Sequence, residues 1–172
     1  NLDATRHLLE RCRQLREPPK FVFTSSIAVF GGALPDPVPD DAALTPQSSY
    51  GTQKVIGELL VHDLSRKGMI DGRSLRLPTI TVRPGRPNKA ASSFASGIIR
   101  EPLAGERAPC PVSPQTRMWL SSPRNAIDNL VLGHEAPATA FAVTRSISVP
   151  GISVSVGDMA AALRRVAGDA VA

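Results

Sequence analysis

Lys20-Phe21-Val22-Phe23-Thr24-Ser25-Ser26-Ile27-Ala28-Val29-Phe30-Gly31-Gly32 is the stretch whose reading decides the fold. After Lys20 its next four residues are apolar, β-branched or aromatic, the composition of a buried strand. The run pauses at Ser25-Ser26, resumes over residues 27–30 and stops at the Gly31-Gly32 turn. A polar loop studded with Pro35, Pro37, Pro39 and Pro46 follows, and then Ser48-Ser49-Tyr50-Gly51-Thr52-Gln53-Lys54 opens a segment of helical periodicity. The expected unit is a strand that ends in two hydroxyls, a loop, and a helix whose first turns carry a tyrosine and a lysine.

Residues four apart share one face of a helix, so Tyr50 and Lys54 can point at the same place. A free phenol titrates near 10 and is a poor base at neutral pH. An ammonium roughly 4 Å away favours the phenolate by at most about 4 kcal/mol at an effective dielectric of about 20. A phenol so placed comes within range of acid–base work, and a serine beside it can hold the reacting oxygen. Such a set suits removal of the proton from an alcohol oxygen while hydride leaves the carbon that bears it. Tyr-x-x-x-Lys alone is a weak signal, since most such pairs are surface neighbours on a helix. Here Tyr50 is the only tyrosine of the chain and the strand-end serines precede it at a loop's distance.

With those residues quoted, the chain resembles the extended short-chain dehydrogenase/reductases, the NAD-dependent epimerase/dehydratase group. The family pattern is a strand ending Ser-Ser-x-x-Val-Tyr-Gly, then Tyr-Gly-x-x-Lys on the next helix; here Phe30 stands for the usual tyrosine. The resemblance implies that Ser26 is the catalytic serine, Tyr50 the acid/base, and Lys54 the lysine that holds the ribose and favours the phenolate. It implies an α/β fold: part of a Rossmann-type doubly wound parallel sheet, with residues 1–85 as the catalytic half of the cofactor domain. Residues 86–172 would then be part of a smaller substrate-binding region, interleaved with elements that return to the first domain. The Gly-rich loop that holds the dinucleotide pyrophosphate in the family has no counterpart here, because Gly31-Gly32 lacks the spacing and the strand–helix context. The chain therefore reads as a fragment, short at both ends, that alone binds cofactor poorly. NAD is the expected cofactor, with NADP left open.

At 172 residues the chain is long enough for a real core. A net charge of +5 and a pI of about 9.9 raise the question of nucleic acid. The basic residues are scattered, aromatics are few and no nucleic-acid motif is present, so a solvated basic face is expected instead. Cys12 and Cys110 have no metal-type spacing, and His7, His62 and His134 stand apart from one another. Reduced thiols in a cytoplasmic protein with no bound metal are expected. No stretch is long enough to span a membrane and the opening residues do not resemble a signal peptide.

Residues 1–17 read as an amphipathic helix that stops before Pro18-Pro19, with apolar positions at 2, 8, 9, 12 and 15. The helix that starts at residue 48 runs to about Lys67, and Gly68 ends it. Its apolar residues are frequent enough to cover two faces. The resemblance implies a homodimer through helices 1–17 and 48–67; burial by other parts of the same chain is the alternative. Ser74 to Gly85 reads as the next strand, interrupted by Pro78. In the family the residue at Pro78 contacts the nicotinamide and that at Thr79 faces the substrate; a plain edge or bulge is the alternative for Pro78. From Arg86 the pattern loosens, then turns helical through Ile98, Ile99 and Leu103 to Gly105. No nucleotide-binding segment of the nucleotide-sugar enzymes is recognisable there, which favours a small substrate. Arg117, in the segment with the only tryptophan, is a candidate contact for a substrate carboxylate. Helices are expected over 124–134 and 156–166, with a short strand at 147–149 between them.

The expected function is NAD-dependent oxidation of a secondary hydroxyl of a small, four-carbon sugar acid. Two rivals stand beside it. A nucleotide-sugar epimerase or dehydratase would use the same three residues, and a truncated family member without catalysis would act as a structural partner.

Overall fold

The computed structural model describes residues 1–39, 41–85, 91–141 and 143–169. The chain divides into two compact units, residues 1–77 with 127–149, and residues 78–126 with 150–172.

The first unit is a parallel sheet with helices. Strand β1 (Lys20–Ser26) pairs with β2 (Asp71–Leu77), and β2 with the short β5 (Ser146–Ser148), giving the order β1-β2-β5. Parallel neighbours need a crossover, and helix α2 (Ser49–Arg66) provides the one from β1 to β2. Helix α1 (Leu2–Cys12) packs beside α2. Leu9, Phe23, Val61 and Ile70 form the core, with Cys12, Phe21, Leu60 and Leu64 packed against it. Burial of each such side chain contributes about 1.5–3 kcal/mol. The sheet faces of α2 and β2 are unexpectedly polar. Beside Lys54 and Glu58, glycines 51 and 57 are buried on α2, and Ser74, Arg73 and Arg76 are buried on β2. Fully buried Arg73 donates to Asp71 at 2.6 Å and to the His134 carbonyl at 3.0 Å, with Phe141 across its guanidinium. Burial works against the Asp71 charge, but hydrogen bonds from Arg145 and Arg73 outweigh it and hold the carboxyl below the usual range.

The second unit has its own sheet, of order β3-β4-β6. Strand β3 (Thr79–Ile80) runs parallel to β4 (Arg117–Ser121), and β6 (Ile152–Ser155) antiparallel to it. Helices α3 (Phe94–Leu103) and α5 (Val156–Ala167) pack together, and Ala95, Leu120 and Met159 make the core. Ser155 and Asp158 form a reciprocal capping box at the start of α5. Helix α4 (Pro123–Glu135) starts in this unit and ends in the first, with the Ser122 hydroxyl accepting from the Asn125 amide.

Several sequence expectations change in detail. The strand does not resume after Ser26: residues 27–29 form a 3-10 turn, because the Ser26 hydroxyl accepts the Ala28 N–H at 3.2 Å and draws the backbone out of the ladder. The strand expected over 74–85 begins at Asp71 and ends at Leu77, its start hidden by the charges of Asp71 and Arg73. After buried Pro78 the chain joins the other sheet. Proline has no N–H to donate, so it suits the residue between two ladders. Helix α1 ends at Cys12, and residues 13–17 are turns and bends. Gly68 does end α2, with φ of 70°. The loosening expected from Arg86 falls partly on residues 86–90, outside those described.

Candidate active site

The end of β1 and the start of α2 meet in the first unit. The Ser48 hydroxyl caps α2 by accepting the Gly51 N–H at 3.0 Å. A side chain at Gly51 would put a Cβ 2.1 Å from the Ala28 carbonyl oxygen, and one at Gly57 would come within 2.4 Å of the Phe23 ring. Glycine at both positions lets the helix lie against the strand end and its turn. The Gly51 backbone thus touches the turn that Ser26 caps. Tyr50, next to it, is 46% exposed.

Lys54 is buried, 8% exposed. Its Nζ donates to the Thr24 carbonyl at 2.6 Å and lies 5.6 Å from the centre of the Tyr50 ring and 4.8 Å from that of Phe23. Burial pulls the Lys54 pKa below the usual lysine value. Two aromatic faces and one carbonyl offset part of that cost, since a ring's quadrupole attracts a cation. An ammonium has three N–H donors, and among the described residues the Thr24 carbonyl is the one hydrogen-bond acceptor for Lys54. The donors left over fit the paired hydroxyls of a ribose.

Ser26, Tyr50 and Lys54 therefore share one unit, and the structure brings the last two together by ring and ammonium. Pro78, Thr79 and Arg117 belong to the second unit. Thr79 stands opposite Leu120 in the β3–β4 pair. Arg117 begins β4 as an exposed residue opposite Ser155, and its Nη2 donates to the Ser153 hydroxyl at 3.1 Å. The second unit also carries an open pocket of about 920 Å³, lined by apolar residues such as Ile99, Leu120, Ile152 and Met159, with Ser121, Ser122 and Asn125 among its polar groups.

The sequence reading passed over a buried group next to Lys54. Glu58, one turn beyond Lys54, accepts from Ser25 and Arg76, and the Phe30 ring lies 5.1 Å from the Arg76 guanidinium. Phe30, where the family has tyrosine, packs on this cation. A glutamate on the sheet-facing side of α2 was the available signal, since such a residue is rarely buried unless paired. Among the described residues no cluster of acidic, histidine or cysteine side chains could hold a metal, and no helix is long and apolar enough to cross a membrane.

Residues 1–122 match the model of the NAD dependent epimerase/dehydratase family, and the chain belongs to that family. Its parallel sheet is part of a Rossmann-type α/β fold, as in the solved relatives. The chain is 62% identical over its whole length to D-erythronate dehydrogenase of Cupriavidus necator, and 51% identical over 99% of it to that of Haemophilus influenzae. It spans about half of those relatives, 53% and 54% of their lengths. The crystal structure of a nucleoside-diphosphate-sugar epimerase from Agrobacterium tumefaciens superposes with a TM-score of 0.92 at 49% identity, over 99% of this chain and 51% of that one.

Proposed function

We propose that this chain carries the catalytic half of an NAD-dependent dehydrogenase that oxidises a secondary hydroxyl of D-erythronate or a similar small sugar acid. The observation that carries the reading is the Lys54 ammonium, buried against the Tyr50 ring and bonded to the end of the strand that bears Ser26. The 62% identity to a D-erythronate dehydrogenase supplies the substrate class.

In this reading the Ser26 hydroxyl holds the substrate oxygen. The Tyr50 phenolate takes the proton from that oxygen as hydride leaves its carbon. Bound NAD supplies the hydride acceptor. Lys54 provides the positive charge that a phenolate needs and directs its remaining N–H groups to the ribose. By the family resemblance, Pro78 would contact the nicotinamide, Thr79 would face the substrate, and the Arg117 guanidinium would suit the substrate carboxylate. Residues 1–77 with 127–149 serve the cofactor domain, and the second unit the substrate domain. The whole protein is a cytoplasmic homodimer through α1 and α2; Leu8 and Leu59, exposed on them, support that surface.

The test is NADH formation by the protein that carries this chain, supplied with NAD, D-erythronate and other four-carbon acids. Accumulating NADH supports the reading, and a parallel assay with NADP in place of NAD decides the cofactor preference. The 49% identity to a nucleoside-diphosphate-sugar epimerase favours one second reading, a nucleotide-sugar epimerase on the same three residues. Conversion of a nucleotide sugar without net NADH identifies that case.

A further inference from the structure

We infer that Glu58, with Ser25 and Arg76, is a positioning unit that holds Ser26 in register with Tyr50 and Lys54; this rests on the triad reading above. Ser25 and Arg76 face each other across the β1–β2 ladder. Both reach the same carboxylate, which comes from the helix above. The Ser25 hydroxyl donates to Glu58 Oε1 at 2.5 Å. Arg76 Nε donates to Oε1 at 3.0 Å and to Oε2 at 3.2 Å, and its Nη2 donates to Oε2 at 2.7 Å. All three side chains are buried, with Glu58 3% exposed.

A buried ion pair is a poor device for stability alone, because apolar residues of the same volume would hold helix to sheet without removing two charges from water. Its bonds are directional, and what they fix is the placement of α2 along and around the strands. Ser25 immediately precedes Ser26, and Glu58 lies one turn beyond Lys54 and two beyond Tyr50 on the same face. A slip of the helix at Glu58 therefore moves Tyr50 and Lys54 against Ser26. Consecutive residues at the end of β1 are each tied in this way. The Thr24 carbonyl accepts from Lys54, the Ser25 hydroxyl donates to Glu58, and the Ser26 hydroxyl accepts the Ala28 N–H.

The experiment is a double-mutant cycle in the whole protein, with kcat, KM and thermal stability measured for Ser25→Ala, Ser26→Ala and the pair. Misplacement of a reacting group without loss of binding lowers kcat, here by about tenfold for Ser25→Ala with KM for NAD unchanged. In the Ser26→Ala background the same change costs less than about twofold, since nothing is left to position. Glu58→Gln lowers kcat at least as far; should it fail to fold, Ser25→Ala decides. Hydrogen exchange of the Ala28 amide gives a second readout that needs no substrate, and it speeds up in Ser25→Ala. Full kcat in Ser25→Ala, or an equal loss with and without Ser26, overturns the inference. If the unaltered protein neither oxidises an acid nor converts a nucleotide sugar, the triad reading has failed on its own, and an unchanged Ala28 amide then overturns the positioning role separately.

Discussion

Lys54 is the residue on which the proposed chemistry turns, and its burial has a measurable signature. Burial disfavours the charged form, so the folded pKa lies below the 10.5 usual for lysine. The unfolded chain binds its proton more tightly than the folded one, so the cost of burying the ammonium is fully present at neutral pH. That cost fades as pH rises through the folded value toward 10.5. A Lys54→Met variant has no such term. Urea denaturation at a series of alkaline pH values should show the unaltered protein gaining stability relative to the variant as pH rises. A constant difference across the series would contradict the assignment. The Tyr50–Lys54 pair was legible in the sequence because a four-residue spacing fixes a shared face whatever the rest of the chain does. The Ser25–Glu58–Arg76 cluster was not, because its members come from a strand, a helix and a second strand and meet only once β1 and β2 are in register.

At the scale of elements, the contact between α2 and the turn that follows β1 depends on what is missing at Gly51. With the Ala28 oxygen 2.1 Å from where a Cβ would stand, Gly51→Ala must push the helix start off the turn. Overpacking of this kind costs about 1–3 kcal/mol. The variant should melt earlier in a thermal scan and lose kcat beyond its loss of stability, since Tyr50 moves with the helix start. A variant as stable and as active as the parent would show that the close approach is not needed. The β1–α2 part of the unit was readable from an apolar run, helical periodicity and turn residues, and Gly68 marked the end of α2. What escaped was where strands start and stop. The Ser26 hydroxyl closes β1 through a side-chain bond to the backbone, and β2 is a buried strand whose sequence, Asp71-Gly72-Arg73-Ser74-Leu75-Arg76-Leu77, carries charges in place of an apolar run. Arg73 pairs with Asp71 of the same strand and Arg76 with Glu58 of α2, which makes that burial tolerable, and the second pair, across elements, leaves no periodic trace in the sequence.

For the whole molecule, the apolar residues that α2 does not turn to its own sheet bear on assembly. Leu60 and Leu64 are partly covered in the α1–α2 core, whereas Leu59 remains 58% exposed. If α1 and α2 form the subunit interface, sedimentation velocity should give a dimer for the protein that carries this chain and a monomer for Leu59→Glu. An unchanged dimer in that variant would move the interface elsewhere. The division into two units was only partly legible: the sequence reading set the boundary after residue 85 and took Pro78 for an interruption within one strand, whereas the opening stretch of the first unit ends at Leu77. The return of later elements to the first unit came from the family resemblance, since no local pattern encodes the contacts of residues 127–149. The most direct measurement for the central claim is NADH production from D-erythronate by that protein and its Tyr50→Phe variant, side by side. Loss of a positioned acid–base group lowers rate by roughly 10²–10⁴-fold, and the account predicts a fall of that order with little change in KM for NAD. Turnover by Tyr50→Phe at the rate of the unaltered protein would contradict it.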